Sequence, residues 1–488
     1  MTRRALPYLV VFALTAAACG QKSGVAGTGG GGSGDGTTPP ATQAPIVTAA
    51  PVTTPGATEP PASSTQPGDS TPASTTPGDS TPASTTHGDS TPASTTPGAT
   101  TEPPVAVGPY EPGDNDTAGV TDTEIVIGIH APVTGASPIP QESFDIGKDI
   151  YWRFLADNAP DRLFGRTVRV VFRDDEFDPQ HAVQVCREMV EQDGAFLLVG
   201  GGGADQITAC AKYADENDIP YLSAGVNETG LVDLATYFST SLSYAEQAPL
   251  VIAQLQAQDI QQAALVVSDT PSFDDAKEAI EAAAADAGLE LVYNKRINKN
   301  ATPAEAATIA QELKTANAPA VILLSSPVVF VLGLAPGASN QGYDPLWIGP
   351  GVTSGLNGVT AVGCPAGSTD NAEFFSPTPG LDVIDELDPD YRTAYPAYAD
   401  GADGDDIGMQ LWSLAKAVAL MFEATGPELG RAAFMNTLVT SGGFDNGIYA
   451  PLTYTVDDHL GGTGAHLLRA DCTVNQYVTA EQFVMAGG

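Results

Sequence analysis

The chain has 488 residues, which is enough for two or three domains of ordinary size. Its formal net charge is −39, from 59 acidic and 20 basic side chains. This balance excludes a nucleic-acid-binding surface, which needs clustered lysine and arginine, and indicates a soluble protein whose partners are not polyanions.

Residues 1–19, MTRRALPYLVVFALTAAAC, have the order of a secretory signal, with two arginines, an apolar stretch and small residues. The apolar stretch is too short for a membrane span. The small residues before Cys19 resemble the lipobox of bacterial lipoproteins, in which the cysteine is acylated and becomes the new N-terminus. We expect a lipoprotein signal peptide, lipid (palmitate included) on Cys19, and an anchor on the outer face of the bacterial cell membrane. The alternative is an ordinary cleaved signal with a chance cysteine.

Residues 20–118 consist almost entirely of Gly, Ser, Thr, Pro and Ala. The ten-residue repeat GDSTPASTTP occurs at 68–77 and 88–97, with the variant GDSTPASTTH at 78–87 between them. Such a segment cannot bury enough apolar surface to offset the entropy lost on ordering, so we predict a disordered stalk.

From residue 119 onward, apolar strand patterns alternate with helical patterns. Asp178 and Pro179 are typical of an N-cap and first helical residue, and Gly194 of a helix end. The predicted strands are 123–131, 166–172, 195–199, 219–224, 263–268, 289–294, 320–326 and 345–349, followed by short strands near 450–456 and 464–469. The predicted helices of the second half are 273–287, 303–316, 406–423 and 427–439. Two runs of βαβα predict an α/β fold of two doubly wound lobes, each a parallel sheet with helices on both faces.

Four consecutive glycines, Gly200–Gly203, separate a predicted strand from a predicted helix. Ligands of open α/β sheets bind beyond the carboxyl ends of the strands, near helix N-termini. No Gly-Lys-Ser/Thr follows, and the dinucleotide fingerprint would need a glycine at Asp205, so both nucleotide motifs are excluded. The run therefore either exposes backbone N–H groups to a carboxylate or other acceptor, or serves only a tight turn.

The chain has five cysteines. If Cys19 carries lipid, an even number remains in an exported protein, which predicts two disulfides with three possible connectivities. The remaining cysteines are Cys186, Cys210, Cys364 and Cys472. No Cys/His spacing is typical of zinc, and no metal or cofactor is predicted.

Three patterns suggest rival functions. Ser413 and Lys416 have the SxxK spacing of penicillin-binding enzymes, but lie mid-helix without the accompanying motifs. Asp457-Asp458-His459, with His466, has metal-ligand residue types but reads better as a solvated turn. The segment DGADGDD (400–406) departs from the EF-hand pattern. Because no nucleophile–base pair or paired carboxylates have credible spacing, we predict that the protein is not an enzyme.

The segment GVTDTEIVIGIHAPVTG (119–135) resembles the opening strand and loop of type I periplasmic solute-binding proteins, in the branched-chain amino-acid-binding (Leu/Ile/Val) group of ABC importers. The similarity continues in ENDIPYLSAG (216–225), VVSDTPSFDDAKEAIEAAAADAG (266–288) and PLTYTVDDHLGGTG (451–464), and extends over essentially all of 119–488.

This resemblance implies two lobes, joined by three crossovers, that close around one small solute, and a closed form that docks on a membrane permease. We place lobe 1 at about 119–240 plus about 370–450. Lobe 2 takes about 241–369 plus about 451–488. The resemblance also implies a disulfide between Cys186 and Cys210, which leaves Cys364 and Cys472 for each other.

The resemblance further implies which residues contact the solute. The family usually has a serine where Gly203 and Ala204 stand, a tyrosine at Phe273, and an acid for the ligand ammonium at Gly351. The loss of that acid makes an α-amino acid less favoured unless Asp269, Glu142 or another acid replaces it. Ser325 ends a predicted strand, and its side chain either lines the cleft between the lobes or has a purely structural role. The complete expected set is Gly203, Ala204, Gly225, Asn227, Phe273, Ser325 and Gly351.

The resulting functional hypothesis is a monomeric substrate-binding lipoprotein that captures a small polar solute, an amino acid, amide or related organic acid. Its partners would be the permease and ATPase subunits of an ABC importer. The alternative is a ligand-sensing surface lipoprotein that acts in trans on a signalling receptor.

Overall fold

The structure, a computed structural model, describes residues 108–223, 229–351, 357, 363–364 and 367–487. The predicted signal peptide, Cys19 and residues 20–107 of the predicted stalk lie outside the described residues. None of the helices in the described ranges is both long and apolar enough to cross a membrane.

The first sheet has five parallel strands in the order β2-β1-β3-β4-β5. β3 is fully buried and β1 is buried except at Glu124, as expected for a parallel sheet with both faces covered. Its strands are β1 (Glu124–Ala131), β2 (Thr167–Asp174), β3 (Leu197–Gly200), β4 (Tyr221–Ser223) and β5 (Tyr237–Ser239).

The second sheet has seven strands in the order β12-β11-β10-β9-β8-β6-β7. They are β6 (Gln262–Asp269), β7 (Glu290–Asn298), β8 (Ala320–Leu324), β9 (Leu346–Gly349), β10 (Glu373–Ser376), β11 (Gly464–Asp471) and β12 (Gln476–Met485). The predicted α/β class is confirmed, but this sheet is mixed rather than purely parallel. β11 runs antiparallel to both of its neighbours, β10 and β12. For β12 the reason is the short turn after β11, since so short a connection allows only antiparallel pairing.

Nine helices of eight residues or more occur among the described residues, and local signals explain several of their ends. The Asp178 carboxylate accepts hydrogen bonds from the Gln180 and His181 N–H groups, and Thr302 and Glu305 form a capping box. The helices are α1 (Gln141–Asn158), α2 (Pro179–Glu191), α3 (Ala204–Asp215), α4 (Ala248–Ala257), α5 (Asp274–Asp286), α6 (Pro303–Ala316), α7 (Pro389–Tyr398), α8 (Asp406–Thr425) and α9 (Arg431–Thr440).

The chain crosses from one sheet to the other later than the sequence suggested at two places. Residues 373–376 form β10 and pair with β9, so the return to lobe 1 follows Ser376 rather than about 370. Leu452 and Tyr454 pack in the lobe 1 core, and Leu460 forms a bridge with Ser239 of β5. The last crossing therefore follows Leu460 instead of beginning at 451, and the strand expected at 450–456 is reduced to isolated bridges.

The last residues of the predicted stalk belong to lobe 1. Tyr110 donates its N–H to the Asn436 Oδ1 at 3.0 Å, and its carbonyl accepts from Asn436 Nδ2 at 2.8 Å. Asp116 accepts hydrogen bonds from the Arg431 and Ala432 N–H groups, so it caps α9. The assignment of residues 108–118 to a disordered stalk is therefore wrong, because their few large and charged side chains make specific contacts.

Candidate functional site

The glycine run lies at the carboxyl edge of the first sheet, where β3 leads into α3. Gly200 and Gly201 are there for close packing. A Cβ on Gly200 would lie 2.1 Å from the Tyr221 Oη, and one on Gly201 would lie 2.8 Å from the Ala131 Cβ. The Gly201 N–H also donates to the His130 carbonyl at 2.8 Å. Gly200 and Gly201 are therefore needed for close packing, which is a different reason from the tight turn that the sequence suggested.

The other half of the run has different geometry. Gly203 has a φ of +79°, which favours glycine, and it begins α3 without a side chain that caps the helix. Among the described residues, no acceptor pairs with the N–H groups of Gly202 and Gly203. Ala204 follows as the first helical residue and is buried. The site thus presents unpaired N–H groups at the positive end of a 12-residue helix, an arrangement suited to an anion.

Three buried polar residues, Asp175, His130 and Tyr221, are linked by hydrogen bonds beneath the glycine run, and we call them the floor of this loop. The His130 Nδ1 lies 2.8 Å from an Asp175 carboxylate oxygen, and the His130 Nε2 lies 2.7 Å from the Tyr221 Oη. The other Asp175 oxygen accepts from the Phe177 N–H at 3.0 Å. Burial raises the pKa of the Tyr221 hydroxyl well above its usual value, so it stays protonated. Gly200 is required because the Tyr221 hydroxyl occupies the space of a side chain.

Both disulfides join the pairs that the sequence analysis expects, Cys186 with Cys210 and Cys364 with Cys472. Cys186, Cys210 and His130 are also close enough to be ligands of one metal ion. Both sulfur atoms are bonded to each other, however, and both ring nitrogens of His130 have partners. This group therefore does not fit a metal.

Lobe 2 meets the N-terminus of α3 through the turn after β6. Asp205, the second residue of α3, accepts from the Thr270 Oγ1 at 2.6 Å and from the Ser272 Oγ at 2.7 Å. It also pairs with the Lys299 ammonium. Burial alone would raise the pKa of Asp205, but the bonds from Lys299, Thr270 and Ser272 outweigh it and lower the pKa. The two lobes therefore touch at the expected solute site.

Phe273 follows Ser272 in the same turn, and its side chain packs against the core of lobe 2. Its ring is half-buried and packs edge-on against Tyr244, with 5.4 Å between the ring centroids. Tyr244 lies in the first crossover, between β5 and α4. Phe273 thus belongs to the turn that faces lobe 1 and touches the connection between the lobes.

The remaining expected residues have different settings. Ser325 is buried after β8, and its hydroxyl has a weak contact, 3.4 Å, with the Ser326 carbonyl. The Gly351 N–H donates to the Oε1 of Gln247 at 2.7 Å. Gln247 lies just before α4, in the first crossover between the lobes, so the Gly351 N–H already has a partner within the protein. Gly225 and Asn227 lie outside the described residues.

Sequence reasoning missed several residues at the lobe contact. The sequence does contain a signal for three of them, because each has a side-chain oxygen in a segment that follows a predicted strand. Asp205 comes after the glycine run, and Thr270 and Ser272 lie in the motif at 266–288. Lys299 lies in a turn after β7, and no local pattern distinguishes it. Gln206 is buried, and neither atom of its amide has a partner among the described residues.

The residues that suggested rival functions make contacts within the fold. The Ser413 hydroxyl donates to the Met409 carbonyl, and the Lys416 ammonium pairs with Asp388 at 2.8 Å. The His459 ring stacks on Phe238, and the His466 Nε2 contacts the Ile448 carbonyl. The expectation of a solvated turn holds for Asp457 and Asp458, which are exposed, but is wrong for His459 and His466, which are buried by these contacts.

Residues 124–475 match a family described as periplasmic binding protein. A Leu/Ile/Val-binding protein homolog 6 from Brucella abortus (strain 2308) is 25% identical over 210 residues, which cover 42% of this chain and 52% of the relative. The chain spans about half the length of this relative. It spans 30% and 43% of the length of two other curated relatives.

Two solved structures share the fold. One is a branched-chain amino acid ABC transporter protein from Thermus thermophilus with bound valine, with a TM-score of 0.59 and 16% identity, over 75% of this chain and 98% of that one. The other is an ABC transporter solute-binding protein from R. palustris in complex with benzoate, with a TM-score of 0.59 and 16% identity, over 73% and 95% of the two chains.

Proposed function

Since the chain belongs to the periplasmic binding protein family, we propose that it is the extracytoplasmic substrate-binding lipoprotein of an ABC importer. It captures a small polar solute between its lobes and presents it to the permease and ATPase subunits. The observation that carries this proposal is the contact between the uncapped N-terminus of α3 in lobe 1 and the Thr270–Phe273 turn of lobe 2.

The proposed solute carries a carboxylate or a neutral group with similar acceptors. The unpaired N–H groups of Gly202 and Gly203 and the positive end of α3 would bind that group, and the Phe273 ring would cover an apolar part. Valine and benzoate, the ligands of the two similar structures, share a carboxylate and an apolar body. The lack of an acid at Gly351 leaves a bound ammonium without its usual partner, which favours an organic acid or amide over an α-amino acid.

The mechanism follows from the position of the contacts. The groups proposed to bind the solute lie on both lobes, so all of them are within reach only when the cleft is closed. A solute that contacts both lobes shifts the population toward the closed form by its difference in affinity for the two forms.

Calorimetric titration with a panel of solutes tests this proposal. The panel contains valine and leucine, benzoate, aliphatic acids of the same size without the amino group, and the amides of those acids. We expect saturable binding of at least one acid or amide, tighter than that of the corresponding amino acid. Binding of valine and leucine with no response to any acid or amide would contradict the proposed solute class, and no binding by any compound would contradict the proposed function.

Phe273→Ala is expected to weaken binding of the panel's best solute by about tenfold, because an aromatic contact of roughly 1–2 kcal/mol is lost. The same titration measures the effect, and a thermal melt checks the fold. Phe273→Tyr keeps the ring and is the matched control, with affinity near that of the unchanged protein. Equal affinity of the alanine and tyrosine variants would place the solute away from Phe273.

The lipid anchor has a direct test. Cys19→Ser, expressed in a bacterial host supplied with labelled palmitate, is expected to lose the label and leave the membrane fraction, because the acylated sulfur is absent. The unchanged protein is the control. Incorporation of the label into the serine variant to the same extent as into the unchanged protein would contradict lipidation at Cys19.

A further inference from the structure

One ion pair connects the two lobes. Among the ion pairs of the described residues, Asp205 with Lys299 is the one that joins lobe 1 to lobe 2. The others lie within a single lobe, as Arg162 with Glu423 and Lys295 with Glu312 do.

The Asp205 carboxylate has donors on both of its oxygens. The Thr270 and Ser272 hydroxyls donate to one oxygen, and Lys299 donates to the other. All three donors belong to lobe 2, whereas Asp205 lies on α3 of lobe 1. The side chain of Asp205 is 18% exposed and that of Lys299 is 35% exposed. Solvent therefore screens the pair only in part.

These contacts depend on closure. When the lobes separate, Asp205 loses every one of these donors at once, and water replaces them. Interactions present in only one of two conformations shift the equilibrium toward that conformation. The lowered pKa of Asp205 agrees with a carboxylate that lobe 2 stabilises in its charged form. All of these contacts join protein atoms to protein atoms.

We propose that Asp205, Lys299, Thr270 and Ser272 form an interlobe latch that keeps part of the solute-free protein closed. The latch raises the apparent affinity for the solute, because that affinity scales with the fraction of protein already in the binding-competent form. It also makes closure sensitive to ionic strength, because a partly exposed ion pair is weakened by salt.

The latch is tested without any solute, by measuring the distance between the lobes of the full chain. Spin labels on unnatural amino acids at Lys212 of α3 and Glu278 of α5, both exposed, report the distance in a pulsed double-resonance experiment. We expect a closed population in the unchanged protein. Asp205→Asn and Lys299→Gln should each reduce the ratio of closed to open protein by about tenfold, since charged hydrogen bonds are lost. Raising the NaCl concentration should reduce the ratio in the unchanged protein more than in either variant.

The control is Lys295→Gln, which removes an ion pair within lobe 2 and should leave the distances unchanged. Thermal melts check that the variants fold, and the double variant Thr270→Val with Ser272→Ala gives a second way to weaken the latch without changing charge. The combined exchange Asp205→Lys with Lys299→Asp should restore part of the closed population.

Identical distance distributions for the unchanged protein, Asp205→Asn and Lys299→Gln would overturn the latch, as would a solute-free protein with no closed population. Because these measurements contain no solute, they are independent of the titrations that test solute capture. Failure of one proposal therefore leaves the other standing.

Discussion

His130→Ala is expected to lower the free energy of unfolding by about 3–5 kcal/mol, because it removes one member of a buried, hydrogen-bonded chain. The fully buried Asp175 carboxylate and the Tyr221 hydroxyl both lose their His130 partner. All three residues are inaccessible to solvent in the folded protein. Urea unfolding followed by circular dichroism measures the difference.

His181→Ala is the matched control. His181 is partly exposed, and its ring lies 3.7 Å from the Glu176 carboxylate, so we expect a change below about 0.5 kcal/mol. Equal midpoints for His130→Ala and the unchanged protein would show that the floor under Gly200 does not support the loop. We also expect weaker solute binding in His130→Ala, because the glycine run rests on this floor.

Removal of the Cys364–Cys472 disulfide, by serine at both positions, is expected to cost about 4–5 kcal/mol. The cysteines are separated by 108 residues, and loop-closure entropy predicts a larger loss for a longer loop. The Cys186–Cys210 disulfide closes 24 residues and should contribute about 3–4 kcal/mol by the same relation.

Urea unfolding of the two double-serine variants under identical conditions measures both values. The paired comparison is its own control, because each variant loses two sulfur atoms and gains two hydroxyls. A smaller loss for the long loop than for the short one would contradict the entropic explanation. In that case the burial of Cys186 and Cys210, both inaccessible to solvent, would dominate.

The sequence predicted best those elements whose ends carry local signals. The prediction of a helix at 303–316 agrees with α6 at both ends, because Thr302 and Glu305 cap its start and Asn317 adopts the left-handed conformation after its end. Residues 373–376, Glu-Phe-Phe-Ser, escaped because four residues, two of them apolar, are too few to show a periodicity, and only their pairing with β9 and β11 makes them a strand.

The position of the glycine run was predictable from chain order. Glycines between a strand and a helix place backbone at the edge of the sheet, and Gly203 does lie immediately before α3, whose first residue is Ala204. Which glycines expose their N–H groups depends on packing, because Gly200 and Gly201 are set by Tyr221 and Ala131 on other strands. The Gly351 amide bonds to Gln247, 104 residues away in sequence, and no local pattern indicates such a contact.

The most direct measurement is a crystal structure of the protein with the panel solute that binds most tightly. Capture between the lobes predicts a carboxylate or amide oxygen about 3 Å from the N–H groups of Gly202 and Gly203, with Phe273 against the apolar part of the solute. A solute bound outside the interlobe space, or an interlobe space filled by the protein's own side chains at saturating solute, would contradict it.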